Sequence, residues 1–173
     1  MILFSGDKDL YDFIYNIDTD ISSEISISEA QKLIVSDYSL NAISLIRQAD
    51  ELNIPVLGIL DGYQSVAEAF GADCIPLENC AEGKKELAIL DTSIELFKGM
   101  AHVTSICRGN PYQIDEERIP PELDCVSRAE TGEIIAFCKK NTLGKPAIFA
   151  VNYYLNSSLT ENGDKIIYNF LNI

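Results

Sequence analysis

The stretch PVLGILDGYQSVAEAFGADC, Pro55 to Cys74, runs an apolar segment of strand length into glycines at 58 and 62 and then a helix-compatible segment. Turns of this kind hold a nucleophile on a strained apex, because small neighbours let strand and helix approach without clashing. The apex residues here are Leu60 and Asp61. Leucine has no lone pair with which to attack. Asp61 could act as a carboxylate nucleophile, but no acid or base stands beside it in the chain, and a solvated turn carboxylate is the simpler reading. His102, the single histidine, could serve as a base or simply hold a strand start. Cys107 adjoins Arg108, whose guanidinium could lower the thiol pKa, against the alternative of a buried, inert thiol. Asp7, Asp9 and Asp12 fit no complete metal-ligand loop and suit a helix start, where carboxylates complement the dipole. No metal and no cofactor are expected.

These groups need a scaffold, and the pattern supplies one. MILFS opens as a strand, and Leu10, Phe13, Ile14 and Ile17 then share a helical face. KLIVS is a second strand, followed by a helix carrying Ala42, Leu45, Ile46, Ala49 and Leu52 at three-four spacing. IPVLGIL is a strand without alternation, as expected when both sheet faces are covered. This β-α-β-α-β order predicts a parallel sheet with helices on both sides. Beyond Gly71, the segments ELAILD, HVTSIC, LDCVSRA, EIIAFCKK and AIFAVNYY predict short strands, with Gly132 and Gly144 as breakers. The last helix carries Ile166, Ile167, Phe170 and Leu171 on its buried stripe, with Ser158 and Glu161 placed for a capping box. One α/β domain over residues 1–173 is expected.

A formal charge of −14 repels phosphate backbones and anionic lipid, which argues against nucleic-acid and membrane partners. No apolar run reaches membrane-spanning length, and Asp7 and Asp9 interrupt any hydrophobic leader. The five cysteines, at 74, 80, 107, 125 and 138, form no CxxC pair. A cytoplasmic location without disulfides is therefore expected.

The Pro55–Gln64 segment resembles the elbow of class I glutamine amidotransferases, roughly P-[IV]-L-G-[IV]-C-L-G-[HY]-Q, agreeing at Pro55, Leu57, Gly58, Ile59, Gly62, Tyr63 and Gln64. AVNYYLNSSLTENGDKIIYNF is similar to a second family motif, agreeing at Val151, Thr160, Glu161, Gly163, Ile166, Asn169 and Phe170. AETGEIIAF resembles the strand pair that precedes that motif. Together these cover about two-thirds of the chain. In size and style the glutaminase subunits of GMP, anthranilate and aminodeoxychorismate synthases are nearest.

The resemblance implies a three-layer flavodoxin-like α/β fold, mostly parallel, with a small antiparallel region in the second half and a shortened or missing second strand. It also implies that the family's cysteine nucleophile falls on Leu60, its histidine base on Tyr154 and its orienting glutamate on Asn156. One oxyanion donor would be the Asp61 N–H. The glycine-rich loop supplying the other is replaced by SDYSLNA, residues 36–42. Tyr63, Tyr153 and Tyr154 would converge on the former glutamine pocket, with Asp61, Gln64, Cys107 and Arg108 around it. The expectation is a pseudo-glutaminase that acts by association with a synthetase or synthase partner, or with itself. The alternatives are a hydrolase or transferase with repurposed chemistry using Asp61, Cys107 or His102, or a small-molecule sensor.

Overall fold

The computed structural model describes residues 1–78, 80, 82–140 and 146–173. Its first half alternates β1 (Ile2–Ser5), α1 (Lys8–Tyr15), β2 (Ile21–Ser22), β3 (Lys32–Val35), α2 (Leu40–Glu51), β4 (Val56–Ile59) and α3 (Asp61–Ala69). The second half runs β5 (Cys74–Pro76), β6 (Lys85–Leu90), β7 (Val103–Cys107), β8 (Tyr112–Ile114), β9 (Leu123–Ala129), β10 (Ile134–Lys140) and β11 (Pro146–Val151) into α4 (Gly163–Leu171).

Nine strands form one sheet in the order β2-β1-β3-β4-β11-β10-β9-β6-β7, while β5 and β8 pair separately as an antiparallel ribbon. Neighbours from β2 to β11 are parallel. Those from β11 to β7 are antiparallel. Only β10 and β6 therefore run against the other seven strands. The second strand is as abbreviated as expected, two residues paired to β1.

Strand alternation sorts the core into two layers, because successive side chains leave opposite faces of the pleat. Phe149 and Val151 of β11 join Leu10 and Ile14 of α1 and Ile166, Ile167 and Phe170 of α4 on one side. Ile148 and Ala150 join Ile43 and Ile46 of α2 and Val66 and Ala67 of α3 on the other. The β4 strand is buried along its whole length, which explains its unbroken apolar run.

Helix starts follow local chemistry with one correction. Asp7 accepts the Leu10 N–H at the start of α1, and Ser39 accepts the Ala42 N–H at the start of α2. The expected Ser158–Glu161 capping box does not form. α4 begins after Asn162, which is left-handed at φ 60°, and the Glu161 carboxylate receives the Ser105 N–H and the Thr104 hydroxyl instead. The cause is close packing: a Cβ on Gly163 would lie 2.0 Å from the Leu155 carbonyl oxygen, so the chain is pressed flat before the helix starts. Gly132 does turn the β9–β10 hairpin, at φ 107°, whereas Gly144 lies outside the described residues.

Candidate functional site

The site forms where β3, β4 and β11 end together. At the tip of β4 the chain reverses into α3 through Leu60, whose φ 57° and ψ −113° lie in a region that branched residues rarely enter. Such a conformation costs on the order of 1–3 kcal/mol and persists only where its surroundings impose it. Those surroundings are visible. The Leu60 N–H donates to the Val151 carbonyl at 2.9 Å, and its own carbonyl accepts the Tyr63 N–H at 2.9 Å. A Cβ on Gly58 would stand 2.5 Å from the Gly62 oxygen, and one on Gly62 would stand 2.0 Å from the Val35 oxygen. Both glycines are there so that α3 can lie against β3 and β4. The Leu60 side chain is half-buried against the α1/α4 layer of the core.

The next residue is tied down rather than poised. Asp61 Oδ1 accepts a hydrogen bond of 2.8 Å from Asn110 Nδ2, which also donates to Gln64 Oε1 at 3.2 Å. Behind Asn110, the fully buried Asn152 donates from Nδ2 to the backbone oxygens of Asn110 and Tyr112. The side-chain carbonyl oxygens of Asn110 and Asn152 are buried without a hydrogen-bond partner among the described residues. Sequence reasoning misses Asn110 and Asn152 because neither is a nucleophile, base or ligand in any local pattern. Gly109 is the available signal, since a Cβ there would stand 2.2 Å from the Asn152 Oδ1.

Two of the three tyrosines do not converge on a pocket. Tyr63 is fully buried in the α2/α3 layer, where its hydroxyl donates to the Ile134 carbonyl at 2.8 Å and accepts the Ile114 N–H at 3.0 Å. Tyr153 is fully buried in the opposite layer. Burial pushes both phenols well above their ordinary range. The reason is alternation: both positions are held inward by helix and strand periodicity, so they serve the core.

Tyr154, where the resemblance would place a base, is half-buried and donates to Glu82 Oε1 at 3.3 Å. Burial, then the Glu82 carboxylate, raises its phenol, so it is neutral at physiological pH and accepts protons poorly. Asn156 is exposed.

Cys107 and Arg108 separate as neighbours on extended chain must. Cys107 is buried with its N–H on Thr160 Oγ1 at 2.9 Å, while Arg108, 2% exposed, pairs with Glu86 at 3.2 Å. His102 sits at the other end of β7 with Nδ1 2.7 Å from the Leu90 carbonyl oxygen. Among the described residues, Asp61, Cys107 and His102 form no side-chain hydrogen bond with one another.

The SDYSLNA loop is organised by its own side chains. Asp37 accepts the Ser5 and Ser39 hydroxyls at 2.8 and 2.7 Å, and its backbone oxygen accepts the Ser65 hydroxyl at 2.7 Å. These bonds fix the Asp37 carboxylate between β1 and the start of α2. No group of three or more His, Cys, Asp or Glu side chains able to hold a metal occurs among the described residues, and no helix there is long and apolar enough to cross a membrane.

Sheet order, helices on both faces and a strained turn at the tip of β4 define a flavodoxin-like α/β protein built on a nucleophile-elbow scaffold. Its sequence places it more closely: residues 14–173 match the pattern of the family described as glutamine amidotransferase class-I, and the chain belongs to that family. It is 30% identical over 130 residues to a subunit of the glutamine-hydrolyzing GMP synthase of Pyrococcus abyssi, covering 75% of this chain and 65% of that protein. It is 29% identical over 120 residues to the bifunctional protein TrpGD of Thermotoga maritima, covering 69% of this chain but only 20% of that one. In both cases the match spans less than two-thirds of the relative's own length. Against aminodeoxychorismate synthase component 2 of Escherichia coli the identity is 24% over 155 residues, covering 86% and 80%. In three dimensions, a glutamine amidotransferase from Thermotoga maritima superposes with a TM-score of 0.70 at 16% identity, over 89% of this chain and 75% of that one. At that identity the likeness speaks for the fold alone.

Proposed function

We propose that this chain is a pseudo-glutaminase: a single glutaminase-type domain over residues 1–173 that has lost glutamine hydrolysis and acts by association with a synthase-type partner. One observation carries the reading. The elbow keeps its strained backbone at Leu60 while the atom that the strain would present to substrate is hydrocarbon. The surroundings support it, since Tyr154 and Asn156 stand at the positions where the family motif carries histidine and glutamate, and Asn110 bonds to Asp61 across the former apex. Partner association is supported by the relatives, several of which are named as subunits or components of GMP, anthranilate and aminodeoxychorismate synthases. An acidic, disulfide-free chain of this kind fits a cytoplasmic role within such an assembly.

Repurposed chemistry is less well supported. It requires two of Asp61, Cys107 and His102 in one cleft, whereas Cys107 is buried and His102 bonds to the backbone at the far end of β7. The decisive assay is ammonia release from glutamine, run with the chain alone and with the synthase subunits of its own organism. No release above the blank is expected. Release that disappears on Asp61→Ala or Tyr154→Phe would overturn the inactive reading. Co-sedimentation with one of those synthase subunits tests the association.

A further inference from the structure

A cavity of about 560 Å³ opens beside the elbow helix, walled by Tyr38, Gln64, Glu68, Asp73, Cys74 and Tyr112. Three elements build it: the β3–α2 loop carries Tyr38, α3 carries Gln64 and Glu68, and the β5–β8 ribbon carries Cys74 and Tyr112. The space suits a small molecule. Its chemistry is one-sided. Two tyrosine rings and two carboxylates face it, and no lysine or arginine lines it.

The nearby cations leave that bias in place. Arg118 pairs with Asp73 at 3.5 Å as well as with Asp115 at 3.0 Å, so of the two wall carboxylates it is Glu68 that has no paired cation among the described residues. Arg47 is occupied by the backbone oxygens of Ala69 and Glu68. Among the described residues the Glu68 carboxylate accepts only the Tyr38 hydroxyl. The resulting field is felt next door: burial, then Asp73 and Glu68, push the Cys74 thiol up to about 12.

Asn110, 8% exposed, braces the wall from behind by holding Gln64 through its Nδ2. The charged groups on the wall itself are both acceptors. Such a site selects a ligand rich in N–H donors and positive charge, and it opposes a free carboxylate.

We propose that this cavity binds an organic ammonium ion, a linear aliphatic amine lying between the Tyr38 and Tyr112 rings with its charged nitrogen at Glu68. Aromatic faces and a carboxylate together are the usual means of holding an alkylammonium group. The site uses neither Leu60 nor Tyr154, so it stands or falls apart from the proposed loss of glutaminase activity.

The test is isothermal titration of the full chain with putrescine at physiological ionic strength, with 1,4-butanediol as the uncharged counterpart. Saturable binding of putrescine and none of the diol is expected. Glu68→Gln and Tyr112→Ala are each expected to weaken it roughly fivefold or more, while Glu24→Gln, a change at an exposed carboxylate outside the cavity wall, leaves it unchanged. Folding of each variant is checked by circular dichroism, and Tyr38→Phe, which keeps the ring but frees Glu68 of its hydroxyl, is expected to retain binding. Absence of saturable binding overturns the proposal. So does binding that survives both Glu68→Gln and Tyr112→Ala, because that is the response of a chain of charge −14 attracting any cation.

Discussion

Two residues of this chain hold nearly the same left-handed φ for opposite reasons. Asn162 sits at φ 60° before α4, and Leu60 sits at φ 57° before α3. Asparagine tolerates that region because its short polar side chain clashes little with the backbone, so at 162 the residue suits the turn. Leucine does not, so at 60 the turn overrules the residue. What overrules it is packing: Gly58 and Gly62 bring α3 onto β3 and β4, and the Leu60 N–H is already committed to Val151. A turn that persists with an ill-suited residue at its apex is held by the packing of the fold around it.

The comparison breaks most directly at the glycines. Gly62→Ala would set a Cβ 2.0 Å from the Val35 oxygen, and overpacking of this severity is expected to cost about 3 kcal/mol, read as a lower urea midpoint. If the loss is negligible, packing does not impose the elbow.

Alkaline pH tests the neighbourhood of α3 next. Burial, followed by the Asp73 and Glu68 charges, holds the Cys74 thiol up to about 12. The unfolded chain, with a thiol pKa near 8.5, ionises first. The stabilisation is therefore complete below roughly pH 8.5 and is lost as pH rises towards 12, at no more than about 1.4 kcal/mol per pH unit from this group. Cys74→Ala should flatten that part of the stability-against-pH curve.

Ser39→Ala removes the cap of α2 and one of the two hydroxyls on Asp37. A loss of about 1 kcal/mol in the same denaturation experiment is expected.

The smallest effects are the sharpest. Asn162→Gly should change stability by only a few tenths of a kcal/mol, as asparagine already suits its conformation. Leu60→Gly should fall within about 1 kcal/mol of neutral, because relief of backbone strain offsets the lost half-buried side chain. A clearly destabilised Leu60→Gly would mean that the side chain, rather than the glycine packing, holds the turn. Leu60→Cys places a thiol on the apex of the turn and should still release no ammonia from glutamine, since Tyr154 remains a neutral phenol.

Much of the scaffold is legible in the order of residues. The unbroken apolar run of β4, the three-four spacing of α2 and the glycines at 58 and 62 each report a local requirement that composition and spacing express directly. The Ser158–Glu161 capping box misleads because such a motif describes only four residues. Here Gly163 must lie flat on Leu155, a contact eight positions away, and Glu161 is drawn to β7 instead. Tyr63 and Tyr153 depart from expectation for a related reason. The resemblance puts both near the site, but adjacent positions on helix and strand face different layers, and both rings go to the core.

The sequence by itself determined the class of fold, the presence of Leu60, Tyr154 and Asn156 where the resemblance would place cysteine, histidine and glutamate, and the acidic character of the chain. These are matters of side-chain identity and periodicity. Only tertiary structure decided that Leu60 is bent into a conformation it would not choose, that Asn110 and Asn152 run as a buried polar spine behind the elbow, and that Tyr38, Glu68 and Tyr112 share one cavity. Those residues come from separate stretches of chain, and what joins them is the shape into which the sheet and its helices pack.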